Sequence, residues 1–428
     1  ASVLPPPAGK ATNGTGKSLS ANAGDIFTNT TTGNLTVVYN VTPVSSLGCL
    51  GNALDITLTI QPEPAGLNTS KAPNCSDVPF SFDPQSDIPN GVSSTFSWVS
   101  IYPAGITGGS GSGTGPVAET LTNVTGGVLN ATYTITPTST TGSCLGNSFT
   151  MIVPIRPEPV GIADAATVCS DVAVNYNLIN NVAVLGNNVG STFTWSAVDN
   201  LSVTGENTAL QAGGIITDVI TNLTNIPQTV VYTVTPTAVT GCTGNTFTIS
   251  VTVNPEPVGL TSSTVICTDV AVNYDLQNNV NTSGNNLAAN FSWVAAPNAN
   301  VSGERTVAQT GNIINDVLVN ATNSPEVIVY TITPSSQTSG CLGNIFTISV
   351  TVNPRAKISA GLNLAQCEDT PSINLQGSAT YAPNGVIWTG GLGGYSSATD
   401  PNAVYSFHSS EVDNTITFTL TALDPDGA

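Results

Sequence analysis

An all-β fold repeated in tandem is predicted by three observations. Apolar residues alternate with Thr, Ser and Asn; 41 Gly and 28 Pro cut the chain into short segments; and one phrase returns at a nearly fixed period. Thr, Val, Ile and Tyr suit a pleated, half-buried surface, and Gly and Pro turn the chain between strands. Helix formers such as Lys, Glu and Met are scarce, and the 428 residues exceed what one core usually organises. Several domains are therefore expected.

The recurring phrase is Val38-Tyr39-Asn40-Val41-Thr42-Pro43. It returns as Thr132-Tyr133-Thr134-Ile135-Thr136-Pro137, Val231-Tyr232-Thr233-Val234-Thr235-Pro236 and Val329-Tyr330-Thr331-Ile332-Thr333-Pro334, with tyrosines 94, 99 and 98 residues apart. A cysteine turn follows each: Cys49-Leu50-Gly51-Asn52, Cys144-Leu145-Gly146-Asn147, Cys242-Thr243-Gly244-Asn245 and Cys341-Leu342-Gly343-Asn344. An alternating strand such as Phe247–Val253 comes next and ends in a proline clip: Pro62-Glu63-Pro64, Pro157-Glu158-Pro159, Pro255-Glu256-Pro257 and, altered, Pro354-Arg355-Ala356. Proline cannot donate to a ladder and holds an extended φ, so each clip ends a strand as a stiff linker. The expected units are 1–64, 65–159, 160–257, 258–355 and a divergent 356–428.

Within a complete unit an early cysteine is expected to open a strand, as in Cys169-Ser170-Asp171-Val172 and Cys267-Thr268-Asp269-Val270, and a tryptophan strand follows at Phe96-Ser97-Trp98, Phe193-Thr194-Trp195 and Phe291-Ser292-Trp293. Short strands, one mid-unit Trp and a late Tyr are what an immunoglobulin-like sandwich looks like in sequence. The tryptophans and Phe149, Phe247 and Phe346 are expected in the core. An extended rod of five such units would span about 180 Å at ~3.3 Å per strand residue plus loops.

Two regular pairings of the eight cysteines exist. One joins neighbours across each clip, Cys49–Cys75, Cys144–Cys169, Cys242–Cys267 and Cys341–Cys367. The other stays within a unit, Cys75–Cys144, Cys169–Cys242 and Cys267–Cys341. The second is expected, because an immunoglobulin-like fold places the loop before the last strand beside the start of the first. Cys49 and Cys367 then lack partners in this chain, as expected of a segment cut from a longer array. Regular disulfides place the protein outside the reducing cytosol, although Ala1–Pro7 carries no secretion signal.

Chemistry offers little. The only histidine is His408, expected on a surface or turn, and no cysteine spacing suits a metal finger or a Cys–His nucleophile. Asp77, Asp171 and Asp269 recur two residues after the early cysteine, with Glu368 and Asp369 after Cys367. They are candidates for calcium at the junctions, set against the plainer reading of an Asx-type turn or cap. Asp424-Pro425-Asp426-Gly427 is foremost a turn, and Gly108–Gly113 is a loop tip lacking the lysine of a phosphate cradle. Sequons occur at Asn13, Asn40, Asn222 and Asn320. A site repeated in every unit argues against catalysis; no catalytic residue or cofactor is expected. With 26 acidic against 7 basic residues and a net charge of −19, nucleic acid and anionic lipid should be repelled, and no apolar run is long enough to span a membrane.

These motifs together resemble the PKD-like repeats of very large Bacteroidota surface proteins. The resemblance covers roughly residues 20–355, and Val386–Gly394 with Ile416–Thr421 is similar to a companion subtype. It implies an adhesive or filament role at the cell surface, export by type IX secretion, and kinship with gliding-motility adhesins of the SprB type. The partners it implies are neighbouring repeats, surface ligands or glycans, and the secretion or motility machinery. A spacer or carbohydrate-binding region appended to a secreted enzyme is the alternative, and cargo held within an export complex is a third.

Overall fold

The computed structural model describes residues 8–9, 25–282, 286–367, 369–382 and 384–423. Ala1–Pro7, the sequon at Asn13, Glu368 and the Asp424–Gly427 turn lie outside the described residues. The chain is a tandem series of β-sandwiches, and the second, third, fourth and last units each close over their own buried cluster.

The third unit shows the plan. Its larger sheet runs, in spatial order, Asp164–Cys169, Phe247–Asn254, Gln228–Ala238, Ser191–Ala197 and Gln211–Ala212. Opposite it lie two short pairs, Tyr176–Asn177 with Ile215–Ile216 and Val203–Thr204 with Thr221–Asn222. The period-2 pattern decides which side chains turn inward. Val230, Tyr232 and Val234 alternate with more exposed neighbours along one strand, and Phe247, Ile249, Val251 and Val253 do so along the next. Trp195 lies edge-on to Tyr232, ring centroids 5.6 Å apart. The equivalent pairs Trp98/Tyr133 and Trp293/Tyr330 repeat this in the units before and after, so the expected aromatic core is present in all three.

Two short helices, Ile179–Ala183 and Leu276–Thr282, interrupt the otherwise β architecture. Each covers the open side of its sandwich with a buried pair one helical turn apart, Leu178 with Val182 and Leu276 with Val280. The first unit contains the hairpin Leu35–Val41/Leu54–Ile60. The last has its own core of Leu375, Val386, Trp388, Ala403, Tyr405 and Leu420. His408 is exposed there and caps the turn Ser409–Glu411.

One topological feature overturns the expected disulfides. The early cysteine does not open the first strand but closes it. Asp164–Cys169 runs parallel to the last strand, with Cys169 beside Asn254, and Ser262–Cys267 repeats this beside Phe346–Asn353. Cys169 therefore stands at the far end of the last strand, whereas Cys242 precedes that strand's start. Eight residues lie along the strand, roughly 26 Å at ~3.3 Å each, against the Cα separation of under about 7 Å that a disulfide needs. The bonds formed are Cys75–Cys242 and Cys169–Cys341, with Cα atoms 5.6 and 5.5 Å apart. Neither Cys75–Cys144, Cys169–Cys242 and Cys267–Cys341 nor the cross-clip scheme is adopted. Cys49, Cys144 and Cys367 are thiols.

Candidate functional site: the junction between sandwiches

Each disulfide joins the far end of one sandwich to the near end of the next, alongside the proline clip. Two motifs build the junction. The first, Cys-Ser/Thr-Asp-Val, is a tight turn at the end of the first strand. Asp77, Asp171 and Asp269 hold φ of 58°, 59° and 66°, a left-handed conformation that Asp tolerates better than most residues. The Asp171 amide donates to the Ile220 carbonyl, and its carboxylate accepts from the Thr221 hydroxyl; Asp77 and Thr122 make the same bond. The preceding hydroxyl of Ser76, Ser170 or Thr268 accepts from the amide of Asn123, Asn222 or Asn320.

The second motif is the cysteine turn of the following sandwich, and its glycine is explained by contact with the clip. A Cβ on Gly244 would stand 1.9 Å from the carbonyl oxygen of Pro159, and one on Gly343 1.9 Å from that of Pro257. Only glycine lets the turn approach the clip this closely. Cys242 packs with Val189 and Ala238, and Cys75 covers them from the neighbouring unit. Arg156 adds a bond across the junction, its guanidinium donating to the Thr240 carbonyl at 3.2 Å.

The clip glutamates meet the recurring aspartates. Burial, and then the nearby Asp77 carboxylate, push Glu158 up to about 7; burial and Asp171 do the same to Glu256. Like charges this close disfavour double ionisation. At the fourth clip Arg355 occupies the glutamate's place and forms an ion pair with Asp269. The aspartates named as calcium candidates thus hold turns, with one carboxylic partner at two junctions and a cation at the third. Among the described residues no three metal-ligating side chains gather.

Two recurring features were missed in the sequence reading. A carboxylate lies 14 residues before each phrase tyrosine and accepts its phenolic proton. Tyr232 donates to Asp218 at 2.8 Å, Tyr330 to Asp316 at 2.9 Å and Tyr39 to Asp25 at 2.5 Å, while Tyr133 bonds Glu119. The fixed spacing was the available signal. The sequons proved structural as well. Asn222 Nδ2 donates to the Ile226 and Val253 carbonyls, and its Oδ1 accepts from the amide and hydroxyl of Thr224. Asn320 repeats the arrangement, and so do Asn123 and Asn29, whose Asn-x-Thr triplets were not singled out. Asn40 instead bonds Asp55 at the surface.

Aromatic platforms for a sugar do not arise from the repeat tryptophans. Trp98, Trp195 and Trp293 are only 6%, 4% and 2% exposed.

The PKD-like domain family model matches four stretches, residues 8–64, 72–159, 166–257 and 264–356. No curated protein sequence matches the chain. Among solved structures, the human desmocollin-1 ectodomain aligns with 11% identity and a TM-score of 0.22, over 91% of this chain and 85% of that one. Three titin immunoglobulin domains, I67–I69, align with 13% identity and a TM-score of 0.26, over 68% and 96%. The insect immune protein hemolin aligns with 10% identity and a TM-score of 0.20, over 84% and 97%.

Proposed function

The chain belongs to the family of PKD-like domains, and on that premise we propose that it is a non-catalytic structural segment of a long extracellular adhesin. Its sandwiches act as spacers that hold a binding region away from the cell. The observation that carries this reading is the double tie at each disulfide-bridged junction, where a proline clip and a disulfide both connect neighbours. Such ties need an oxidising compartment and serve a part that must keep its length under load. A gliding-motility or other surface adhesin exported by type IX secretion fits this design and the motif resemblance stated above. No helix among the described residues is long and apolar enough to cross a membrane.

The test is made on the source cells. Antibodies raised against residues 160–355 should label intact cells, and in-frame deletion of those residues should reduce surface attachment or movement while leaving export of the remainder intact. Labelling that requires lysis, or a deletion strain with unchanged attachment and movement, overturns the reading.

A further inference from the structure

The connectivity carries a mechanical consequence beyond a surface location. Trace tension along the chain from the second sandwich to the fourth. At Cys75 the covalent path divides. One branch continues along the backbone through Phe149–Arg156, over the clip and along Asp164–Cys169, then crosses by the Cys169–Cys341 disulfide into the fourth sandwich. The other crosses at once by Cys75–Cys242, runs along Phe247–Asn254 and passes over the next clip into Ser262–Cys267. Inside the third sandwich the two branches are neighbouring strands, parallel and in register from Asp164 opposite Ile249 to Cys169 opposite Asn254. Everything between Cys169 and Cys242, including the tryptophan and tyrosine strands, hangs between the branches and lies on neither.

We infer that the central sandwich is mechanically bypassed: two covalent rails carry load past it, and residues 170–241 stay folded under tension that would unfold an unbridged repeat. Two results follow. The span from Cys75 to Cys341 cannot lengthen beyond the shorter rail, about 95 residues or roughly 330 Å at ~3.5 Å per residue, whereas the same span without disulfides reaches about 930 Å. A single backbone cut anywhere in this span also leaves the two ends covalently joined, because the overlapping loops of 167 and 172 residues always leave one rail intact.

Both results can be measured on the full chain. Pulled from handles at its two ends, the reduced chain should release about 170 residues more than the oxidised chain, roughly 600 Å of added contour at ~3.5 Å per residue. An unchanged contour overturns the inference, and so does a difference near 215 residues, which within-sandwich bonds would give. In the second arm, a protease sequence is inserted between Gly213 and Gly214, in the short connection from Gln211–Ala212 to Ile215–Ile216. After cutting, a Cys242→Ser chain should remain one species without reductant, held by Cys169–Cys341, while a Cys75→Ser/Cys169→Ser chain should separate. Separation of the cut Cys242→Ser chain before reduction overturns the inference. Each chain's folding is checked by its melting transition.

Discussion

Tyr232 donates its phenolic proton to the buried carboxylate of Asp218 at 2.8 Å, and the same pair recurs at the same 14-residue spacing in three other units. Burial first, and then the carboxylate, push the Tyr232 phenol up. Asp218 also accepts from the amide and side chain of Asn207, so the carboxylate ties the tyrosine strand to a loop. Tyr232→Phe removes one of these donors and should cost about 1–3 kcal/mol of stability, read as a lower denaturation midpoint at unchanged slope. A neutral result would show that Asn207 alone satisfies Asp218.

Disulfide connectivity is directly measurable. Peptide mapping without reductant should recover Cys75 linked to Cys242 and Cys169 linked to Cys341. Peptides joining Cys75 to Cys144 or Cys169 to Cys242 would place the first strand in the opposite direction.

The acidic pair at the third sandwich's far end predicts a pH dependence. Glu256 rises from its ordinary value near 4.5 to about 7, so the folded chain holds its proton more tightly than the unfolded chain does. Stability from this group is therefore complete below about pH 4.5 and lost as pH rises to about 7. Glu256→Gln should leave melting at pH 4.5 nearly unchanged. At pH 8 it should raise it by roughly 4 °C, about 1 kcal/mol for a domain of this size. Equal effects at both pH values would show that burial and the Asp171 carboxylate do not hold the Glu256 proton.

The Asn-x-Thr triplets predict a loss of stability at positions that match a glycosylation sequon. Asn222→Ala leaves the Ile226 and Val253 carbonyls and the Thr224 amide without their partner and should cost about 2–4 kcal/mol. Expression in a host that glycosylates sequons should leave Asn222 and Asn320 unmodified by mass spectrometry, because their Nδ2 atoms are committed to buried carbonyls.

Gly244→Ala tests the contact between turn and clip. The added carbon would collide with the Pro159 carbonyl oxygen, so the turn must move away from its neighbour. The expected result is a lower yield of the Cys75–Cys242 bond, quantified by thiol labelling, with little change in the yield of Cys169–Cys341.

The tandem β plan, the aromatic cores and the clips are legible in the residue pattern alone. Alternation with period 2 fixes which side of a strand is buried, and the Phe-x-Trp and Tyr-Thr-Val-Thr-Pro phrases repeat that alternation with little variation. It also contained the 14-residue step from carboxylate to tyrosine, which becomes recognisable once Tyr232 is seen beside Asp218. How the cysteines pair depends on strand direction, which the residue pattern does not encode. Alternation is the same whichever way a strand points, so nothing in Asp164–Cys169 says that it lies parallel to Phe247–Asn254. That direction carries Cys169 to the far end of its own sandwich, out of reach of Cys242 and within reach of Cys341, and turns a set of internal staples into bonds between neighbours.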